Sequence, residues 1–277
     1  MTDRLPLARL LERRLLRVGF QRHTPPFSYA APDGRWPLGY SVALAQAVLA
    51  QLSRRLGVQL ALQPVEVTSS TRVDMLERDL IDIECGSTTI TDERRRRVSF
   101  SRPIFQTAHR LARRGPPSAP GAAPGCVAGI EGSTSHQTFL QAHPAGEGGR
   151  FKGFSSIGEA FEAFQHDPEV DGLVADEVIL AGLLQGLPSS GSVHTGPALG
   201  GEYYGFVMRL QDLTLQQLVD DALEALFLDP AFPARYAPWF EQALPGLGYS
   251  LGLDFSQQLS FLAPQRTAPS TPAKDRT

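Results

Sequence analysis

Hydrophobic residues fall in two kinds of segment that alternate along the whole chain. Short apolar runs bounded by turn residues indicate buried strands, and longer segments with apolar residues at helical spacing indicate amphipathic helices. The apolar runs predict strands at residues 15–20, 58–67, 80–84, 104–112, 126–130, 170–175 and 203–209. The helical spacing predicts helices at residues 5–16, 41–56, 71–78, 133–141, 157–165, 177–184, 213–228 and 232–240. This alternation is typical of an α/β architecture.

Two segments interrupt the alternation. Residues 115–125 read Gly-Pro-Pro-Ser-Ala-Pro-Gly-Ala-Ala-Pro-Gly, which no helix can accommodate, so they predict a loop. Residues 264–277 are rich in Pro, Thr, Ala and charge and predict a disordered tail. The chain has 277 residues, of which 42% are hydrophobic, and is therefore long enough for two lobes with separate cores.

Charge and cysteine content narrow the class of protein. A net charge of -3 and a pI near 6.1 provide no basic surface, which argues against nucleic acid as a partner. Residues 1–17 carry several charges and no unbroken apolar stretch, so they do not predict a signal peptide, and no segment reaches the roughly 18 apolar residues of a membrane span. The two cysteines, Cys85 and Cys126, could form one disulfide but are predicted to be free buried thiols.

Candidate binding chemistry is concentrated between Asp82 and Ser101. An apolar run ends there in small and hydroxyl residues, and Thr91 followed by two acidic residues predicts the start of a helix with Arg94 on its first turn. Hydroxyl groups beside a guanidinium can hold a carboxylate. The alternative is a solvated face, because four successive arginines commonly form one.

This region resembles the ligand-binding motif of the family 3 extracellular solute-binding proteins of amino-acid ABC importers, in particular the glutamate/aspartate-binding branch. Further segments follow that branch in order and spacing. They are Gly39-Tyr40-Ser41, Thr68-Ser69-Ser70-Thr71-Arg72, the run from Asp82 to Thr89, Phe100-Ser101, Gly132-Ser133-Thr134-Ser135, Asp176-Glu177, Tyr204-Gly205 and Trp239-Phe240. The resemblance covers residues 10–262. It implies a two-lobed periplasmic-binding-protein fold of type II, with a two-strand hinge and the ligand cleft between the lobes.

The resemblance also implies a division of the chain. Residues 1–108 would form the N-terminal part of lobe 1, residues 109–204 lobe 2, and residues 205–263 the C-terminal part of lobe 1. A hinged pair of lobes can close on a ligand as a clamp. Family members are exported, so a periplasmic location is expected. Three explanations are open for the leader: it would lie upstream of this chain, it would have been removed, or it would be absent because the domain serves another setting.

By resemblance, Arg94 would bind the α-carboxylate of an amino acid, together with the Thr89 hydroxyl and the backbone N–H of Thr134 at a helix start. Asp176 would bind the ammonium with help from Ser87. Each of these polar residues has a structural alternative, since Asp176, Ser133 and Thr134 could all be helix N-caps. We expect Ser133 to belong to the ligand site as well.

Recognition of the ligand side chain is less well defined by the sequence. Glutamate/aspartate binders carry an arginine where this chain has Gln21 and a histidine where it has Ile157, whereas Arg72 is retained. Phe27 is expected to form an apolar wall over the ligand, or to be a core residue. An acidic ligand is favoured, with glutamine or another polar amino acid as the alternative.

The implied function is non-enzymatic: binding of an amino acid, glutamate or aspartate first, and its delivery to an ABC permease. Alternatives are a cyclohexadienyl dehydratase, which shares the fold, and a sensory domain. The histidines show no metal-ligand spacing, and His109, His166 and His194 stand alone in the sequence. We therefore predict no metal and no cofactor, and expect a monomer.

Overall fold

The computed structural model describes residues 6–34, 36–115, 125–144, 149–185, 187, 193–254 and 259. Its α-helices are α1 Pro6–Arg13, α2 Tyr40–Leu56, α3 Arg72–Glu77, α4 Thr134–Ala142, α5 Ile157–His166, α6 Glu177–Leu184, α7 Leu213–Phe227 and α8 Phe232–Phe240. Its strands are β1 Leu15–Phe20, β2 His23–Thr24, β3 Ser28–Ala30, β4 Pro37–Leu38, β5 Ala61–Glu66, β6 Ile83–Glu84, β7 Val98–Phe100, β8 Phe105–Arg114, β9 Cys126–Ile130, β10 Arg150–Phe154, β11 Gly172–Asp176, β12 Val193–Thr195, β13 Gly201–Tyr204 and β14 Val207–Arg209.

The first lobe is built on a five-stranded sheet in the order β5-β1-β6-β14-β7. Strand β1 pairs in parallel with β5 and β6, and β14 pairs antiparallel with β6 and β7. Helices α2 and α7 contact each other, and their apolar residues lie in the main hydrophobic core. Helix α2 ends at Gly57, which adopts the left-handed conformation (φ 64°) that favours glycine.

The second lobe is built on a six-stranded sheet. Its main path is β10-β9-β11-β8-β12, and β13 pairs with the first half of β8. Strand β9 pairs in parallel with β10 and β11, whereas β8 runs antiparallel to β11. Helices α4 and α5 contact both β9 and β11. None of the helices in the described ranges combines the length and apolar content needed to cross a membrane.

The chain crosses between the two sheets twice, from β7 to β8 and from β13 to β14. The predicted α/β, two-lobed fold with a two-strand hinge is thereby confirmed. The lobe boundaries after residues 108 and 204 stay a prediction, which the distribution of strands between the sheets supports. The predicted loop at 115–125 falls largely, and the predicted tail at 264–277 entirely, outside the described residues.

The element predictions hold best for long buried segments. Strands 15–20 and 126–130 and helices 177–184 and 232–240 have the predicted bounds. The strand predicted at 203–209 is divided between β13 and β14, because the chain passes from one sheet to the other between Tyr204 and Val207. Strand β10 was not predicted, since its five residues are exposed or half-buried and show no apolar run. Cys85 and Cys126 are buried free thiols, as predicted.

Candidate functional site

A polar cavity lies between the two lobes and is lined from both sheets. Its volume is about 40 Å³, room for about three water molecules. Eight of the nine residues predicted for the ligand site line this cavity: Gln21, Arg72, Ser87, Thr89, Arg94, Ser133, Thr134 and Asp176.

Phe27 is the predicted site residue that does not line the cavity. Its side chain is fully buried and packs edge-on against four aromatic rings, those of Tyr40, Phe105, Tyr204 and Phe240. The expectation of an apolar wall over the ligand is therefore corrected, and the core alternative holds for Phe27. The ring contacts Tyr40 of α2 and Phe240 of α8, which places it in the aromatic core.

Arg94 begins a single turn of 3-10 helix, Arg94–Arg96, where a longer helix was predicted. The Thr91 hydroxyl accepts a hydrogen bond from the Arg94 backbone N–H at 3.1 Å, as expected of a capping residue. The Arg94 Nη1 donates to the Thr89 carbonyl oxygen at 2.8 Å. Burial, together with the nearby charge of Arg72, lowers the pKa of Arg94 to about 10, so the guanidinium stays charged at neutral pH.

The start of helix α4 brings Ser133 and Thr134 to the cavity. The Ser133 hydroxyl accepts a hydrogen bond from the His136 N–H at 3.1 Å, so the capping role left open by the sequence is realised. Thr134 is the first helical residue, and its hydroxyl oxygen lies 3.3 Å from that of Thr89. Free N–H groups of this first turn favour an anion in the cavity.

Asp176 occupies the N-cap position of helix α6 but makes no capping hydrogen bond. Its carboxylate turns into the cavity instead, where Oδ2 accepts a hydrogen bond from the Tyr204 hydroxyl and Oδ1 lies 3.2 Å from His109 Nε2. The capping alternative for Asp176 is therefore not realised. Burial, and next the charge of Glu202, raise the pKa of Asp176.

A buried cluster of His109, Asp176 and Glu202 adjoins the cavity and was not predicted from the sequence. The His109 Nε2 lies 2.7 Å from Glu202 Oε2, and the Thr89 hydroxyl donates to Glu202 Oε1. Strand β8 carries His109 opposite Asp176 of β11 and also pairs with β13, which carries Glu202. His109 is thus not isolated, contrary to what its position in the sequence indicated. The alternation of inward and outward side chains along the predicted strand 104–112 could have placed His109 on an inner face. It could not have shown that Asp176 and Glu202 lie beside His109.

Hydrogen bonds to the two neighbouring carboxyl groups stabilise the protonated form of His109. Burial lowers the pKa of His109, but its hydrogen bonds to Asp176 and Glu202 outweigh this and raise it to about 9. The ligand atoms of the three residues lie within 4.8 Å of one another, a spacing that could also hold a metal ion. The Nε2 proton already bridges both carboxylates, and Nδ1 lies 2.9 Å from the Thr138 hydroxyl oxygen.

The raised pKa of His109 predicts a loss of stability in alkaline solution. His109 binds its proton more tightly in the folded state than in the unfolded chain, where its pKa is near 6.5. This contribution is fully present below pH 6.5 and is lost as the pH rises through about 9. It amounts to about 3 kcal/mol of the free energy of unfolding, from a difference of about 2.5 between the two pKa values.

Urea titrations near pH 6.5 and above pH 9 measure that loss. The variant His109→Gln is the control, because it lacks the titrating group and is expected to show a correspondingly flatter pH dependence. Equal slopes in the two proteins would show that the cluster does not hold a proton on His109.

The chain is similar to known proteins along most of its length. The family model described as "Bacterial extracellular solute-binding proteins, family 3" matches residues 16–242. An L-glutamate/L-aspartate-binding protein of Pseudomonas aeruginosa is 26% identical over 261 residues, which cover 92% of this chain and 86% of the relative. A glutamine-binding protein of an ABC transporter from Bacillus subtilis is 26% identical over 240 residues, 85% of each chain. A solved structure of an ancestral arginine-binding protein bound to glutamine superposes with a TM-score of 0.69 at 27% identity, covering 83% of this chain and 99% of that one.

Proposed function

Because the chain belongs to the bacterial extracellular solute-binding proteins of family 3, we propose that it binds a free polar amino acid between its two lobes and presents it to an ABC permease. One observation carries the proposal. A cation from the first lobe, Arg94, and an anion from the second, Asp176, line the same buried cavity. A zwitterion pairs with both, and it does so only when the lobes close.

The carboxylate of the amino acid binds at Arg94 and the free N–H groups at the start of α4. Its ammonium binds the carboxylate of Asp176, with the Ser87 hydroxyl beside it. The Thr89 hydroxyl serves the site indirectly, because it donates to Glu202. Recognition of the side chain is assigned to Gln21 and Arg72. The relatives named for glutamate, aspartate and glutamine define the first ligands to test.

We also propose where the protein acts and in which form it meets its permease. Family members are extracellular proteins, so the domain acts outside the cytoplasm, as a monomer that meets its permease with the lobes closed on the ligand. The relatives found by sequence include a glutamate/aspartate import solute-binding protein and a glutamine-binding protein of an ABC transporter. We therefore assign transport rather than catalysis, and a screen should include prephenate and arogenate to detect a dehydratase.

Ligand binding is expected to stabilise the protein and to compact it. Only the folded clamp binds the ligand, so an amino acid at about 100 times its dissociation constant should add roughly 2.7 kcal/mol to the free energy of unfolding. A thermal-shift screen of the twenty amino acids identifies the ligand, and small-angle scattering measures the accompanying fall in the radius of gyration. If no amino acid raises the melting temperature or changes the scattering, the proposed function is wrong.

A further inference from the structure

Two glycines in helices of the second lobe lie against the first lobe, outside the ligand cavity. Gly182 is in α6, and a Cβ added to it would lie 2.7 Å from the carbonyl oxygen of Pro25. Gly158 is in the first turn of α5, and a Cβ added there would lie 2.8 Å from Cγ of His23. Both partners belong to the β2 region, whose small sheet β2-β3-β4 contacts α2 of the first lobe. A side chain at either glycine would therefore collide with the opposite lobe.

The backbone conformation of these two residues does not call for glycine. Each has helical residues on both sides, and neither has a positive φ. Within a helix glycine is less favourable than alanine, because it loses more conformational freedom on folding. Close approach of another segment is a second reason for glycine at such a position. At Gly158 and Gly182 that close approach is made between the lobes.

A third contact between the lobes comes from the segment that follows α8. The Tyr29 hydroxyl of β3 donates to the Pro245 carbonyl oxygen at 2.9 Å, which attaches this segment to the first lobe. The Leu244 N–H donates to the Tyr249 carbonyl oxygen at 2.8 Å and closes a turn. The Tyr249 hydroxyl in turn donates to the carbonyl oxygen of Gly182. Two separate segments on the side of the first lobe thus contact the same glycine.

We propose that Gly158, Gly182 and Tyr249 are positioning residues for amino-acid binding, because they let the lobes come close enough for one ligand to contact Arg94 and Asp176 together. This inference rests on the proposed function and adds to it residues that do not line the ligand cavity. The three contacts join one lobe to the other, so opening breaks them and they stabilise the closed form alone. A ligand that binds the closed form gains affinity from them.

Gly182→Ala tests the proposal most directly, because the added methyl group meets a backbone carbonyl that no side-chain movement can clear. Calorimetric titration uses the amino acid with the largest thermal shift, with L-glutamate and L-glutamine tested first. Binding should weaken at least about tenfold. The free energy of unfolding of the ligand-free variant should not fall, because alanine favours the helix. Tyr249→Phe removes one hydrogen bond between the lobes and should weaken binding about fivefold.

A rescue distinguishes a contact between the lobes from damage within one of them. Gly158→Ala should weaken binding at least about fivefold, and adding His23→Ala should recover most of the loss, since it removes the ring atoms nearest to the methyl group. Gly196→Ala is the matched control. Gly196 follows β12 in the second lobe, where an added Cβ would lie 3.6 Å from the Leu111 carbonyl oxygen, an ordinary contact, so binding should be unchanged.

The outcomes separate this inference from the function on which it rests. Wild-type affinity in both Gly182→Ala and Gly158→Ala would overturn the inference and leave the proposed function standing. An equal loss in Gly158→Ala with and without His23→Ala would also overturn it, as would a fall in the stability of ligand-free Gly182→Ala large enough to explain its weaker binding. A wild-type protein that binds no amino acid would overturn the proposed function, and this inference with it.

Discussion

Replacement of Arg94 by alanine is expected to weaken amino-acid binding by about 3–5 kcal/mol, or more than a hundredfold. The ligand carboxylate would still be desolvated on closure but would have lost its ionic partner. Arg94 makes one hydrogen bond to the backbone of its own lobe, so its loss should change the free energy of unfolding of the free protein by about 1 kcal/mol at most. Calorimetric titration with the amino acid found in the thermal-shift screen measures the effect.

Arg96→Ala is the matched control for this prediction. It removes the same charge from an exposed position in the same turn of helix, and binding should be unchanged. If Arg94→Ala bound the ligand as tightly as the wild type, the carboxylate would have to bind elsewhere in the cleft. Similar losses in both variants would point to the overall charge of the arginine run and not to a contact.

Asp176→Asn is expected to cost about 3–4 kcal/mol of binding free energy, because the ligand ammonium would be left buried without its partner. The change preserves the size of the side chain and removes its charge. Glu177→Gln is the control, since Glu177 is exposed and pairs with Arg110 outside the cavity. Titration of both variants with the same amino acid gives the comparison.

A second ligand identifies the group that Asp176 recognises. An analogue without the ammonium group should bind weakly to the wild type, and Asp176→Asn should weaken it much less than it weakens the amino acid. Equal losses for the two ligands would indicate that Asp176 only holds His109 and Tyr204 in place and does not contact the ammonium.

The fold was largely predictable because its main strands and helices carry their own local signals. Helix α2 shows apolar residues at helical spacing and ends at a glycine, and strand β9 is a short apolar run. The strands β2, β3 and β4 have only two or three residues, too few for any period to be detected. The single helical turn at Arg94–Arg96 is likewise too short for its length to be read from sequence.

Most of the candidate site could be located from sequence through motifs in family register. The cluster around His109 could not, because it depends on strand pairing. His109, Asp176 and Glu202 are brought together by β8, β11 and β13, and no local pattern specifies which strands become neighbours. Phe27 was predicted for the site because of its position in a motif. Only the packing of the folded chain shows that its ring faces the aromatic core.

The electrostatics of the cavity link its structure to its proposed action. Arg94 contributes a guanidinium and Asp176 a carboxyl group to the same cavity, and a zwitterion can join the two as the lobes close. Free in water, each of these groups is solvated, so closure without a ligand leaves both poorly paired. The ligand therefore favours the closed form, the form that a permease can distinguish from the open one.

A crystal structure of the protein grown with the amino acid from the thermal-shift screen would test this account most directly. We predict one ligand molecule in the cavity between the lobes, with its carboxylate on Arg94, its ammonium on Asp176 and its side chain beside Gln21 and Arg72. A ligand bound at any other position, or reversed so that its ammonium faces away from Asp176, would contradict the account.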